Sequence, residues 1–185
     1  MDEPTQTVTK EITGARDVAA AVFRGLAAGD LSVLEQHVAP DAVDDFVAVG
    51  QFHGRAAIRG FFEELYTAFP DFRLEVDRIV GDGDVAAVQW EAGGTFTGGP
   101  FQGIEPTGRH VSIRGVDVME IHDGQVHHNT IYYDGAAFAR QIGMLPRDGS
   151  IADRVLLTGF NAVTRLRSKV RGGEESPGEA SPPPA

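Results

Sequence analysis

The chain has 185 residues, 42% hydrophobic and 23% charged, with a formal net charge of -11 and no cysteine. That length supports one domain with a real core but not two full ones, and no apolar run approaches the length of a membrane span. The acidic balance, with no basic stripe in the folded part, excludes nucleic acid as the expected ligand; the missing thiols exclude disulfides and thiolate chemistry and fit a cytoplasmic, reducing setting.

In chain order, residues 1–14 read as a flexible start without an export signal. Val18, Val22 and Leu26 recur at helical spacing over 15–28, and Gly29-Asp30 closes that helix. A short helix is predicted over 31–38, a strand over 42–52 broken at Gly50, and a helix over 56–69 that stops at Pro70. Four strands follow over 72–80, 85–97, 110–122 and 125–133, with hairpin signals at Gly81-Asp82-Gly83-Asp84 and Asp123-Gly124. Helices first and strands later predict an α+β fold, a curved antiparallel sheet with the helices on one face. The domain is expected over 15–146. Residues 147–170 form a C-terminal helical extension, and 171–185, composed only of Gly, Glu, Ser, Pro, Ala and one Arg, form a disordered tail.

Strand alternation places Val111, Ile113, Gly115, Met119 and Ile121 on one face, with Asp117 in phase among them. A carboxylate aimed at the apolar side of a sheet must be protonated, hydrogen-bonded or paired. The first strand repeats the pattern: Val43, Val47 and Val49 share a face with Asp45, while Asp44 points away. Two acids in one interior, in different environments, can divide the work into base and hydrogen-bond donor. Plainer roles stay open, a turn cap for Asp45 and an ion pair with Arg114 or Arg73 for Asp117.

Trp90 is in phase with Val88 and Phe96, which suits core packing or a pocket wall. One of Tyr132 and Tyr133 must face inward. His128, in phase with Tyr132 and Asp134, is a possible proton carrier. His127 and His128 face opposite ways and do not share an ion, so no metal is expected. The glycine-rich run from Gly93 to Gly99 lacks the lysine of a phosphate loop and reads as a bend in the sheet.

Several local sequences together carry a resemblance over about 15–146: Ala68-Phe69-Pro70-Asp71-Phe72, Gly94-Thr95-Phe96-Thr97-Gly98, Pro106-Thr107-Gly108-Arg109, and Tyr132-Tyr133-Asp134 followed by Phe138-Ala139-Arg140-Gln141-Ile142-Gly143. The chain resembles the SnoaL-like polyketide cyclases of the nuclear transport factor 2-like superfamily, and beyond them ketosteroid isomerase and limonene epoxide hydrolase. The resemblance implies a cone that takes a hydrophobic small molecule and a homodimer through the outer face of the sheet. Against ketosteroid isomerase, Asp45 matches the catalytic base and Asp117 the protonated oxyanion donor, while Val22 stands where that family has a tyrosine. The cyclases carry an acid/base aspartate near 129–131, where this chain has no carboxylate. Against limonene epoxide hydrolase, Asp134 matches one aspartate of the acid/base set, while the companion Arg-x-Asp is absent and its strand reads Gln89-Trp90-Glu91 here.

The expectation is therefore a cofactor-free acid/base enzyme that cyclises or isomerises a hydrophobic carbonyl compound of polyketide, terpenoid or steroid type. Asp117, Asp45, Asp134 and His128 are the candidate catalytic residues, and Trp90, Tyr132, Phe96, Met119 and Phe23 the candidate substrate contacts. Two other readings stand beside it: a binding module of the same fold without chemistry, and an epoxide hydrolase using Asp134. A basic helix carrying Arg154, Arg165, Arg167, Lys169 and Arg171 adds a possible docking element or edge cover.

Overall fold

The computed structural model describes residues 14–172, and of Leu156 and residues 165–172 only the backbone. The readings of 1–13 as flexible and of 173–185 as disordered lie outside the described residues. By internal contacts the chain divides after Met144 into two units.

The first unit runs α1 (Ala15–Ala27), α2 (Ser32–His37), β1 (Val38–Phe46), β2 (Gly50–His53), α3 (Arg55–Ala68), β3 (Arg73–Asp82), β4 (Val85–Thr95), β5 (His110–His122), β6 (Gln125–Tyr133) and α4 (Gly135–Ile142). Its strands form one six-stranded sheet in the order β2-β1-β6-β5-β4-β3. The long strands from β3 to β6 pair antiparallel, as expected of a meander, but β1 enters beside β6 in parallel. What reads in sequence as one strand over 42–52 is the hairpin β1–β2, reversed through 47–49.

Helix α1 buries Ala15, Val18, Ala19, Val22, Phe23 and Leu26, a continuous stripe at helical spacing. That stripe lies across β3, β4, β5 and β6, so the sheet curls around it. Gly29 takes φ 70° just past the helix, a value that lets Asp30 N–H return to the Gly25 carbonyl at 2.9 Å. Helix α3 adds Ile58 and Phe61 to the same core and is tied to α1 by the Tyr66 hydroxyl, which donates to the Leu26 carbonyl at 2.7 Å.

The Phe69-Pro70-Asp71 turn fastens the far end of β4. Asp71 accepts from Thr95 N–H at 2.6 Å and from the Thr95 hydroxyl at 2.8 Å, while Phe69 stacks on Phe96 with centroids 5.0 Å apart.

The second unit contains α5 (Ile151–Gly172). Ser150 Oγ accepts from Asp153 N–H, and Asp153 in turn accepts from Gly149 N–H, a reciprocal start for the helix. Ile151, Val155, Leu157, Phe160 and Val163 are exposed along it. Among the described residues no helix is long and apolar enough to cross a membrane.

Candidate active site

The concave side of the sheet, α1 and α3 enclose a cavity of about 120 Å³. Its wall is overwhelmingly apolar, with Phe23 from α1, Phe61 and Phe62 from α3, Phe101 from the loop after β4, and Phe138 from α4. Two carboxylates interrupt it, Asp44 and Asp117, together with Asn129, Trp90 and Tyr133. Among the described residues no Lys, Arg or His lines it.

Asp117 arrives there by the alternation read from the sequence: Val111, Asp117, Met119 and Ile121 are buried in step along β5. Both of its oxygens are held. Trp90 Nε1–H donates to Oδ1 at 2.7 Å, and Asn129 Nδ2–H donates to Oδ2 at 2.9 Å. Arg114 points to the other face, exposed, so the ion pair considered from sequence is not made by that residue. Burial pushes the Asp117 carboxyl up to about 6, against the two N–H donors, which pull it down.

The second acid is Asp44, not Asp45. Strand β1 buries Ala42, Asp44 and Phe46 on one face, whereas Val43 and Asp45 are half-buried on the other. Asp45 sits opposite Gln51 and accepts from its amide at 3.0 Å. The expected grouping of Asp45 with Val47 and Val49 assumed a single strand; the reversal after Phe46 leaves those valines 59% and 44% exposed. Burial pushes the Asp44 carboxyl up to about 8, the Asp117 charge adds to the rise, and the Asn129 amide offsets part of it. With no cation on the wall, the pair is most stable carrying one proton between them. The two N–H donors on Asp117 favour it as the ionised member, which leaves Asp44 neutral.

A bulge decides the rest. Between β5 and β6 the register shifts so that Glu120 faces His128 while Ile121 faces Val126, leaving His127 as the extra residue. Beyond it Asn129, Ile131 and Tyr133 point inward. His128 and Tyr132 therefore face outward, and Tyr132 is 52% exposed, contrary to the pocket roles expected for both. Tyr133 takes the place expected of Tyr132, and its burial raises the phenol's pKa.

Trp90, Met119 and Phe23 line the cavity. Phe96 does not: it is 1% exposed and spent on the stack with Phe69. Asp134 is exposed at the start of α4, where its side chain accepts from Ala137 N–H at 2.8 Å as the helix cap. Glu91 is exposed on the outer face and accepts from Ser112 Oγ at 3.0 Å. Among the described residues no cluster of three or more His, Cys, Asp or Glu is placed to hold a metal.

Asn129 carries one further anomaly. Its Oδ1 is buried and has no hydrogen-bond partner among the described residues. Across the parallel β1–β6 pairing, Asn129 stands directly opposite Asp44.

Comparison with known proteins agrees with this architecture. The model of the family described as SnoaL-like polyketide cyclase matches residues 16–142. Among solved structures, a candidate SnoaL-like polyketide cyclase from Jannaschia sp. CCS1 is 23% identical with a TM-score of 0.65, covering 77% of this chain and 100% of that one, and supports the fold alone. IdmH, a candidate polyketide cyclase from Streptomyces antibioticus, is 28% identical with a TM-score of 0.58 over 70% of this chain and 98% of that one. AclR from Streptomyces galilaeus, a candidate hydroxylase, is 26% identical with a TM-score of 0.61 over 71% and 97%. No curated protein matches the chain.

Proposed function

Because the chain belongs to the SnoaL-like polyketide cyclase family, we propose that it is an acid/base enzyme acting on a hydrophobic, polyketide-type carbonyl compound, closing a ring by carbon–carbon bond formation. The single observation that carries this reading is the pair of buried acids, Asp44 and Asp117, on an apolar wall that offers no cation. A simple carrier of apolar ligands gains nothing from two such groups, whose burial costs stability.

The environments favour roles in reverse of the expectation drawn from ketosteroid isomerase. Asp117, ionised, removes a proton from the carbon next to a carbonyl. The resulting enolate carbon attacks a second carbonyl of the same molecule, and neutral Asp44 gives its proton to the alkoxide that forms. Asp117 then holds a proton and Asp44 a charge, and one proton passing from Asp117 to Asp44 resets the pair. Isomerisation needs the same first step, with the proton returned to a different carbon. The expected homodimer through the sheet remains part of the proposal, with Val116, Val118 and Tyr132 on its outer face.

The test follows deuterium entry at the activated carbon of hydrophobic 1,3-diketones in heavy water. Wild type should exchange it, and Asp117→Asn should slow the exchange by about a hundredfold or more. Binding of the diketone without exchange would leave only a ligand-binding module.

A further inference from the structure

The cross-strand register arranges the sheet side of the cavity in rows two residues apart, about 6.7 Å along the strands. Leu74 and Ile113 share one row through Ala92, and both are half-buried. The next row carries Trp90 and Tyr133 on either side of Gly115. Asp117 follows, then Asp44 in line with Asn129 and Met119, and Val126 beside Val38 comes last. Exposure falls in the same direction, to 6% at Asp117 and 2% at Met119 and Val126. The cavity therefore opens at the Ile113 row, where half-buried Phe138 meets the Tyr133 ring at 6.3 Å, and is blind at Val126.

At about 120 Å³ the space is close to that of an apolar cavity of about 150 Å³ that holds benzene, and well below the several hundred Å³ of a pocket for a larger ligand. It has room for one six-membered ring and not for a fused set. Both acids stand inward of the aromatic row, one row apart, so a single ring-sized unit reaches the two of them. We propose that the substrate enters by one end only, a segment the size of one six-membered ring with its accepting carbonyl innermost at the Asp44 row, while the rest of the molecule trails out past Trp90 and Tyr133. The inference deepens the acid/base reading and rests on it. The carbon that Asp117 deprotonates then lies one row nearer the mouth than the carbonyl that Asp44 serves, so the ring that closes is the terminal one.

The experiment titrates the full-length protein with saturated cyclic ketones and reads the fluorescence of the sole tryptophan, Trp90, which lines the cavity. The probes are 4-pentylcyclohexanone, its 2-pentyl isomer, and a two-ring fused ketone, 2-decalone. The 4-pentyl compound, whose tail leaves opposite the carbonyl, should bind most tightly. The 2-pentyl isomer must carry its tail inward, and the decalone must fit a second ring; each should bind about tenfold more weakly or worse. Equal affinity across the three overturns the proposal, and so does binding by none of them. Met119→Ala enlarges the blind end and should bring the decalone to within about threefold of the 4-pentyl compound, with Val126→Ala serving if that variant does not fold. An unchanged preference in a folded variant also contradicts the inference. Size and position selectivity without deuterium exchange would refute the enzyme reading and leave this one standing. Deuterium exchange as fast in the decalone as in the 4-pentyl compound would do the opposite.

Discussion

The indole N–H of Trp90 donates to Asp117 Oδ1 at 2.7 Å, so the sole tryptophan is both cavity wall and hydrogen-bond donor to the buried carboxylate. Trp90→Phe keeps most of the ring and removes the donor. Asp117 then loses one of the two bonds that favour its charge, and its pKa should rise further above the ordinary carboxylate range. An unsatisfied buried acceptor typically costs about 1–3 kcal/mol. Denaturant unfolding and a carboxyl titration of Trp90→Phe check both effects.

The indole has room for that bond because Gly115 lies opposite Trp90 in the β4–β5 register. A Cβ at Gly115 would overlap Trp90 Cζ2 and come within 2.6 Å of the Tyr132 carbonyl oxygen. Gly115→Ala should therefore cost about 1–3 kcal/mol of stability through overpacking. It should also push the indole from Asp117. With only one tryptophan in the chain, a shift in fluorescence emission reports that displacement directly.

Asp44 makes stability fall with rising pH. Its folded pKa, about 8, lies above its ordinary value, so the folded state holds a proton that the unfolded chain gives up near pH 4. Stability contributed by the neutral carboxyl is complete below the unfolded pKa and is lost progressively as pH climbs to the folded one. Asp117 adds a smaller loss that ends near pH 6. Asp44→Asn removes the larger slope. Its melting temperature should exceed that of wild type at pH 8 by about 5 °C or more, since each kcal/mol moves a chain of this size by about 2–4 °C, and the advantage should vanish at pH 4.

Asp134 and Asp45 make the opposing pair of controls. Asp134→Ala deletes the α4 cap and should cost about 1 kcal/mol without changing deuterium exchange. Asp45→Ala removes only a surface contact with Gln51 and should leave stability and exchange within error of wild type. Thermal melts and the diketone assay on both variants test this.

What the sequence revealed depended on how long each pattern ran. Strands β5 and β6 are bounded where the alternation predicts, and along β5 nothing interrupts the period of two, so Asp117, Met119 and the face they share were readable. On β1 the period is the same but the strand is short, and the valines after Phe46 belong to a turn and a second strand. Counting them moved the inward face by one residue, which exchanges Asp44 for Asp45. Phe46, two residues beyond Asp44, and Gly50 were the available signals for the correct phase and for the reversal. On β6 the bulge at His127 adds a residue that no propensity announces, and every assignment beyond it shifts, from Asn129 to Tyr133. Asn129 is silent in the sequence for a further reason: an amide acquires a role here only from the acid it donates to, Asp117, which the fold brings beside it.

The pH dependence of deuterium exchange into a bound diketone is the most direct test of an acid and a base held one proton apart. The rate should rise as Asp117 ionises near pH 6 and fall as Asp44 does near pH 8, giving a bell whose limbs belong to the pair. Exchange that is independent of pH across that range, or that keeps both limbs in Asp44→Asn, would contradict the account.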